Sequence, residues 1–211
     1  MKRARGPRLI DVSQPVDATT ACWPGDTPFA SRWVLHVDDG ASCTLSRVTT
    51  SPHNGTHADA PSHFLSGAPA IDEVPVEKYV GGCRVVERIG DGPVTAEEAR
   101  RWRVRRGDRI LLRSRRRVDA RRFPARFAHL TGESAGVLAA AGAVLFGIDT
   151  PSVDHRDSKT LDAHKGLFRG GVAILENLDL SKVRPGRYRL LAAPIRLRGL
   201  DAGPVRALLE R

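Results

Sequence analysis

Within residues 51–65, SPHNGTHADAPSHFL, four potential metal ligands fall inside eleven residues: His53, His57, Asp59 and His63. Imidazole nitrogen and carboxylate oxygen are the standard protein ligands of hard-to-borderline divalent cations, so no other stretch constrains the chain as tightly. All four positions are odd-numbered. In an extended segment alternate side chains share a face, so the four groups can converge on one point. On a helix His53 and His57 would still share a face, but Asp59 would swing away. Pro52 and Pro61 oppose a long helix, and Gly55 lets the backbone bend closely around an ion. The expectation is a loop or irregular strand wrapped around a metal. An isolated histidine is most often a surface or core residue; four ligands at this density are not. The absence of any H-E-x-x-H rules out the helical metalloprotease arrangement.

A chain of 211 residues with 41% hydrophobic content supports one well-buried core, which predicts a single domain over residues 1–211. The cysteines, Cys22, Cys43 and Cys83, are scattered and odd in number, and none forms a C-x-x-C pair. That pattern argues against a disulfide framework or a zinc ribbon and fits a reducing cytoplasm. The start, MKRARGPRLIDVSQP, is basic, yet no apolar run of signal-peptide length follows it, and no later stretch approaches the roughly 18 apolar residues of a membrane span. A soluble, cytoplasmic protein without a membrane partner is expected.

The net charge of +10 is uneven: residues 100–122 contain twelve arginines. Such a patch can neutralise phosphates. Only one aromatic, Trp102, lies inside it, however, with no stacking pattern, and ILLR at its centre reads as a buried strand with solvated flanks. The expectation is a charged surface and no nucleic-acid partner.

Taken in order, residues 8–13 read as a first strand, followed by a loop rich in Pro, Gly and Thr. Trp23 in that loop is either a lid over a core edge or a wall of a ligand pocket. Residues 33–37 and 44–49 read as two strands, with a turn at Asp38, Asp39 and Gly40. Residues 83–89 and 109–112 read as further strands, with a short helix over 95–102 between them, where Thr95 caps. The clearest helix is 131–141, with Thr131 as N-cap and Gly142 as stop. Residues 144–148 form an apolar strand, 160–168 a short helix, and 172–175 a buried strand ending at Glu176. Residues 187–197 read as a long strand and 203–210 as a terminal helix. Strands dominate, giving an α/β or mixed β/α class.

Two further clusters carry chemistry. Gly132-Glu133-Ser134-Ala135-Gly136 matches the G-x-S-x-G elbow of serine hydrolases. An elbow needs a hydrophobic strand directly before it, and residues 123–130, FPARFAHL, do not supply an obvious one; Ser134 in the first turn of a capped helix explains the same letters. The second cluster comprises Asp149, Asp154, His155, Asp157, Asp162, His164 and Glu176. A carboxylate ending a buried strand is costly to keep ionised unless it is paired or bound to a cation, so Glu176 reads as a ligand. His164, on the preceding short helix, can face the same place, whereas His155 reads as exposed.

The segment His53-Asn54-Gly55-Thr56-His57-Ala58-Asp59-Ala60-Pro61-Ser62-His63 resembles the H-x-G-T-H-x-D-x-P-x-H motif of the metal-dependent cyclase family, whose best-known members are bacterial kynurenine formamidases. The segments WPGDTPF from Trp23, GIDTPSVD from Gly147, SKTLDAH from Ser158, AILE from Ala173 and LDAGPVR from Leu200 resemble the same family. The resemblance implies a swivelling β/β/α fold, a site for two divalent metal ions, usually Zn2+, and a homodimer. It implies that His53 and His57 bind one metal and His164 the other, that Asp59 and Glu176 bridge both, that Trp23 lines the substrate pocket, and that His63 is the proton donor and acceptor. It implies hydrolysis of N-formyl-L-kynurenine, with isatin hydrolysis as the nearest alternative. Lys165 and Asn177 depart from the residues common beside His164 and Glu176 in kynurenine formamidases; neither is a proposed ligand, so the departures bear on substrate choice.

Overall fold

Residues 109–113, RILLR, show how the sequence builds its core. Ile110 and Leu112 point to one face of a strand and Leu111 to the other, and all three are fully buried. A strand apolar on both faces must be covered on both, which is the signature of a central strand in a layered α/β domain. The computed structural model describes residues 8–211. The basic residues Lys2, Arg3 and Arg5 lie outside them.

The strands are β1 (Leu9–Asp11), β2 (Ala30–Leu35), β3 (Leu45–Thr49), β4 (His57–Asp59), β5 (Val80–Glu87), β6 (Gly92–Val94), β7 (Arg109–Arg113), β8 (Ala128–Leu130), β9 (Leu145–Ile148), β10 (Ala173–Glu176), β11 (Gly186–Leu191), β12 (Ala202–Pro204) and β13 (Leu208–Glu210). The helices are α1 (Ala96–Arg101), α2 (Gly132–Ala140) and α3 (Asp162–Arg169). Nine strands form one mixed sheet in the order β1-β13-β11-β5-β7-β9-β10-β4-β12. Its centre, β5-β7-β9-β10, is parallel, and both flanks are antiparallel. The result is a strand-rich α/β domain.

One face of the sheet packs Leu111, Leu145, Leu175, Leu190 and Leu209. On the other, Ile110, Phe146 and Ile174 meet Ala135 and Leu138 of α2 and Ala163 and Leu167 of α3. The sheet positions the expected metal ligands through register: β4 runs antiparallel to β10, so His57 stands opposite Glu176 and Asp59 opposite Ile174. On its other edge β4 pairs with β12, with Asp59 opposite Ala202. Strand β4 is thus the seam along which residues far apart in sequence meet.

The helices start where their caps allow. Thr95 Oγ1 accepts from Glu98 N at 3.2 Å while Glu98 Oε2 accepts from Thr95 N at 2.8 Å, a reciprocal capping box. Thr131 Oγ1 accepts from Ser134 N at 3.1 Å, as expected of an N-cap. Helix α3 has no cap of its own, and Leu161 before it is left-handed with φ 52°. Its first amides are satisfied from outside, by Asp154.

Three expectations are corrected. Residues 203–210 are not a helix: Ala202–Pro204 and Leu208–Glu210 are strands. Leu209 is buried while its neighbours are partly exposed, a period of two, and pairing on both sides with β1 and β11 outweighs any helical tendency. The strand expected over 187–197 stops at Leu191, and Pro194, which lacks an N–H, follows three residues later. Finally, a short strand, β8, does precede α2, although it pairs only with β6 and stands outside the main sheet. Among the described residues the hairpin β2–β3 also stands apart, paired only with itself and exposed along both strands.

Candidate metal centre

The stretch 51–65 is extended only at its centre. His53 sits in a turn before β4, His57 and Asp59 lie on one face of β4, and His63 ends a 3-10 turn over Pro61–His63. Gly55 makes the entry bend, with φ +68°; a Cβ there would stand 2.3 Å from Val16 Cγ2, so glycine is required on both conformational and steric grounds. Strand β10 brings Glu176 against His57, and α3 brings His164.

These groups form two triads that share one carboxylate. His53, His57 and Asp59 lie together, as do Asp59, His164 and Glu176, each set with one ligand atom per residue within 4.8 Å of the others. Asp59 divides its oxygens between them: Oδ1 lies 3.1 Å from His53 Nδ1 and 3.2 Å from His57 Nε2, and Oδ2 lies 3.3 Å from His164 Nε2. Glu176 divides its oxygens likewise, with Oε2 at 3.5 Å from His57 Nε2 and Oε1 at 3.1 Å from His164 Nε2. Five of the sequence-predicted residues therefore converge.

The rings are aimed by contacts behind them. His57 Nδ1 donates to the Gly55 carbonyl at 2.9 Å, which turns Nε2 inward. His164 Nδ1 lies 2.6 Å from Asp154 Oδ2, which turns its Nε2 toward Asp59 and Glu176. Glu176 Oε1 also accepts from Val153 N at 2.7 Å. A backbone carbonyl or carboxylate behind a histidine fixes its tautomer and raises its basicity as a ligand. Asp154 does this while capping α3, so one carboxylate both starts the helix and orients the histidine upon it.

Without a cation the cluster is electrostatically poised. Burial opposes protonation of His57, but the carboxylates of Asp59 and Glu176 outweigh it and push the ring up to about 10. His164 is likewise raised, with Asp154, Asp59 and Glu176 overcoming burial. Burial raises the Asp59 carboxyl, and three neighbouring histidines more than reverse this, holding it well below the ordinary carboxylate range. His57 Nε2 and Asp59 Oδ1 are both buried and have no well-aligned hydrogen-bond partner among the described residues, although they are neighbours. Leaving such atoms unsatisfied costs about 1–3 kcal/mol each. A divalent cation accepts both lone pairs at once, so the residues present fit a metal.

His63 is set apart from the triads. Its ring lies 4.3 Å from that of His53 and its Nδ1 is 3.1 Å from Asp201 Oδ2, the same oxygen that His53 Nε2 approaches at 3.0 Å. Its side chain is 31% exposed, against 2% for His57. Burial leads the influences that hold its pKa below the ordinary imidazole value. His53, His63 and Asp201 also form a third potential donor set. Asp201 is the residue that sequence reasoning missed as part of the site: it is 148 positions from His53 and only the segment LDAGPVR pointed to it.

A cavity of about 710 Å³ opens over the cluster, lined by His53, His57, Asp59, His63, His164 and Glu176, with Trp23 and Phe123 on its wall. Trp23 meets Phe123 edge to face at 5.2 Å. Four members of the second cluster do not take part. Asp149 accepts the amides of Ser114 and Arg115, Asp162 accepts from Thr160 Oγ1, and Asp157 is exposed, as is His155. Ser134 is fully buried, donates its hydroxyl to the Thr131 carbonyl at 2.9 Å and does not line the cavity.

Comparisons with known proteins agree with this geometry. The Cyclase family model matches residues 10–155. A potential metal-dependent hydrolase with cyclase activity superposes with a TM-score of 0.85 at 27% identity, covering 97% of this chain and 98% of that one. A predicted metal-dependent hydrolase from Bacillus stearothermophilus gives a TM-score of 0.85 at 28% identity over 98% and 99% of the two chains. Isatin hydrolase A from Labrenzia aggregata, bound to benzyl benzoate, gives 0.84 at 25% identity over 97% and 93%. A family match across most of the chain, joined to the fold of metal-dependent hydrolases, establishes that the chain belongs to the Cyclase family.

Proposed function

We propose that this protein is a metal-dependent amide hydrolase that cleaves N-formyl-L-kynurenine to L-kynurenine and formate. The observation that carries the reading is the division of the Asp59 and Glu176 oxygens between two histidine-bearing triads, with a free imidazole beside them. In this reading His53 and His57 would hold one divalent ion and His164 a second, with Asp59 and Glu176 available to both; Zn2+ would suit a donor set of imidazole nitrogens and carboxylate oxygens. Such cations, when bound, would supply Lewis acidity that lowers the pKa of water towards about 7 and polarises a carbonyl.

The chain's own groups supply the proton transfers. His63, neutral near pH 7, accepts a proton at the ring nitrogen left free by its contact with Asp201 and returns it to the departing nitrogen. Asp201 stabilises the imidazolium formed in between. Water supplies the oxygen: its O–H bond breaks with the proton passing to His63, a C–O bond forms at the formyl carbon, the C–N bond breaks, and nitrogen takes that proton and leaves as a neutral arylamine instead of an amide anion. Trp23 and Phe123 wall the cavity where the aryl ring lies.

A cyclic amide is the second reading, favoured by the likeness to isatin hydrolase A. The same residues would then open a lactam, and the protonated nitrogen would stay attached to the product. Purified protein loaded with Zn2+ and assayed side by side against N-formylkynurenine and isatin separates the two. Faster turnover of N-formylkynurenine supports the first reading, faster turnover of isatin the second, and full activity after exhaustive chelation rejects both.

The same reading includes a homodimer. Its support is the detached hairpin β2–β3, which exposes Trp33, Val34, Leu35 and Val48 to an extent unusual for a monomer surface. Sedimentation at micromolar concentration should report twice the chain mass, and Trp33→Asp should shift it to one.

A further inference from the structure

The rim of the cavity is cationic, and the hydrolytic reading gives that charge no role. Arg115, Arg122, Arg156 and Lys159 line it, against Asp26 and Asp119. Among the described residues none of the four cationic side chains makes an ion pair or donates a side-chain hydrogen bond, whereas the basic residues around β5 and β7 are paired: Arg84 with Asp108, Arg88 with Glu98, Arg113 with Glu87. The two rim carboxylates are already engaged locally, Asp26 by the Thr27 amide and Asp119 by that of Arg121.

Arg156 differs from the other three. Its guanidinium carbon lies 5.5 Å from the centroid of Phe123, whose ring in turn meets Trp23 edge to face. An aromatic face attracts a guanidinium and limits where it can go, while leaving the N–H donors at its edge unspent. Those donors form a planar fork matched to the two oxygens of a carboxylate. The aromatic wall and the fork are therefore one contiguous surface, on the same cavity as the histidines.

We propose that the cavity selects substrates bearing a carboxylate distinct from the scissile amide, with Arg156 as the residue that reads it and the aryl ring seated against Trp23 and Phe123. The proposal rests on the aromatic-amide reading above and narrows its substrate class to aromatic amides with an anionic tail. Arg156 acts in specificity and takes no part in bond breaking, so its contribution belongs in KM.

The test uses the deamino analogue of N-formylkynurenine, which keeps the carboxylate, beside its neutral methyl ester. Wild-type enzyme loaded with Zn2+ should favour the acid, and Arg156→Gln should raise KM for the acid about tenfold, the loss expected of a charge-assisted hydrogen bond, with kcat unchanged and the ester unaffected. Arg156→Lys, which keeps the charge and loses the fork, should recover part of the loss. A second readout is independent of turnover: calorimetric binding of benzoylpropionate and its methyl ester. Acid-selective binding that Arg156→Gln abolishes upholds the proposal even if neither formamide is cleaved, in which case the formamidase reading alone fails. Equal handling of acid and ester by the wild type, or an equal loss for both in Arg156→Gln, overturns the proposal and leaves the formamidase reading standing.

Discussion

His63 and His57 are six residues apart along one short stretch, yet the geometry gives them opposite fates on substitution. His57 is fully enclosed between two carboxylates, so His57→Ala, like Glu176→Ala, should lower bound metal. His63→Ala should leave metal content intact and lower kcat by about 10²–10⁴-fold, the range of a lost general acid–base. Elemental analysis beside steady-state kinetics checks this; parallel loss of metal and turnover in His63→Ala would make His63 a ligand of the third donor set and sink its role as proton shuttle. Behind His164, Asp154→Asn removes the charge that orients the ring, and metal affinity should fall about 10–100-fold with the fold preserved. At this scale the clustering of His53, His57 and Asp59 was legible in the sequence, because their alternate positions in an extended segment put them on one face. It gave Asp201 no role beyond its place in the segment LDAGPVR, since a lone acidic residue carries no local sign of the histidines that the pairing of β12 with β4 brings near it.

The helices and strands were legible where local rules act alone. Thr95 and Thr131 announce α1 and α2 because an N-cap hydroxyl satisfies amides three residues away, a purely local debt. Helix α3 was legible as a helix, whereas its capping by Asp154 was not, since that contact crosses a loop. The misreading of residues 203–210 has the same origin: nothing within LLE states that two strands wait on either side of it. Ser134 is the element-scale test of the alternative chemistry. Its hydroxyl is spent on the Thr131 carbonyl inside α2, so Ser134→Ala should retain wild-type turnover, and a serine-directed phosphonate should not inactivate the enzyme. Stoichiometric phosphonylation of Ser134 with loss of activity would contradict that assignment.

For the molecule as a whole, a sheet covered on both faces holds one rigid seam, β10-β4-β12, under an open cavity, and the scattered arginines of residues 100–122 fall around a buried β7 and along the cavity rim. Among the described residues no helix is long and apolar enough to cross a membrane. The core makes a pH-dependent prediction of its own. Burial pushes the Cys83 thiol from its usual 9.0 up to about 12. Below pH 9.0 folded and unfolded chains both keep this proton; between 9.0 and about 12 only the unfolded chain releases it, so stability falls as pH rises through that window. Denaturant midpoints at about pH 8 and about pH 10.5 should therefore drop further for the wild type than for Cys83→Ala. Equal drops would show that Cys83 ionises as readily in the fold as outside it.

The central proposal is that two cations would bind on either side of Asp59. Anomalous diffraction at the zinc edge from crystals of zinc-loaded protein tests it directly. Two peaks are predicted, one bounded by His53, His57 and Asp59 and one by Asp59, His164 and Glu176. A single peak among His53, His63 and Asp201, or none in this cluster, would contradict the account.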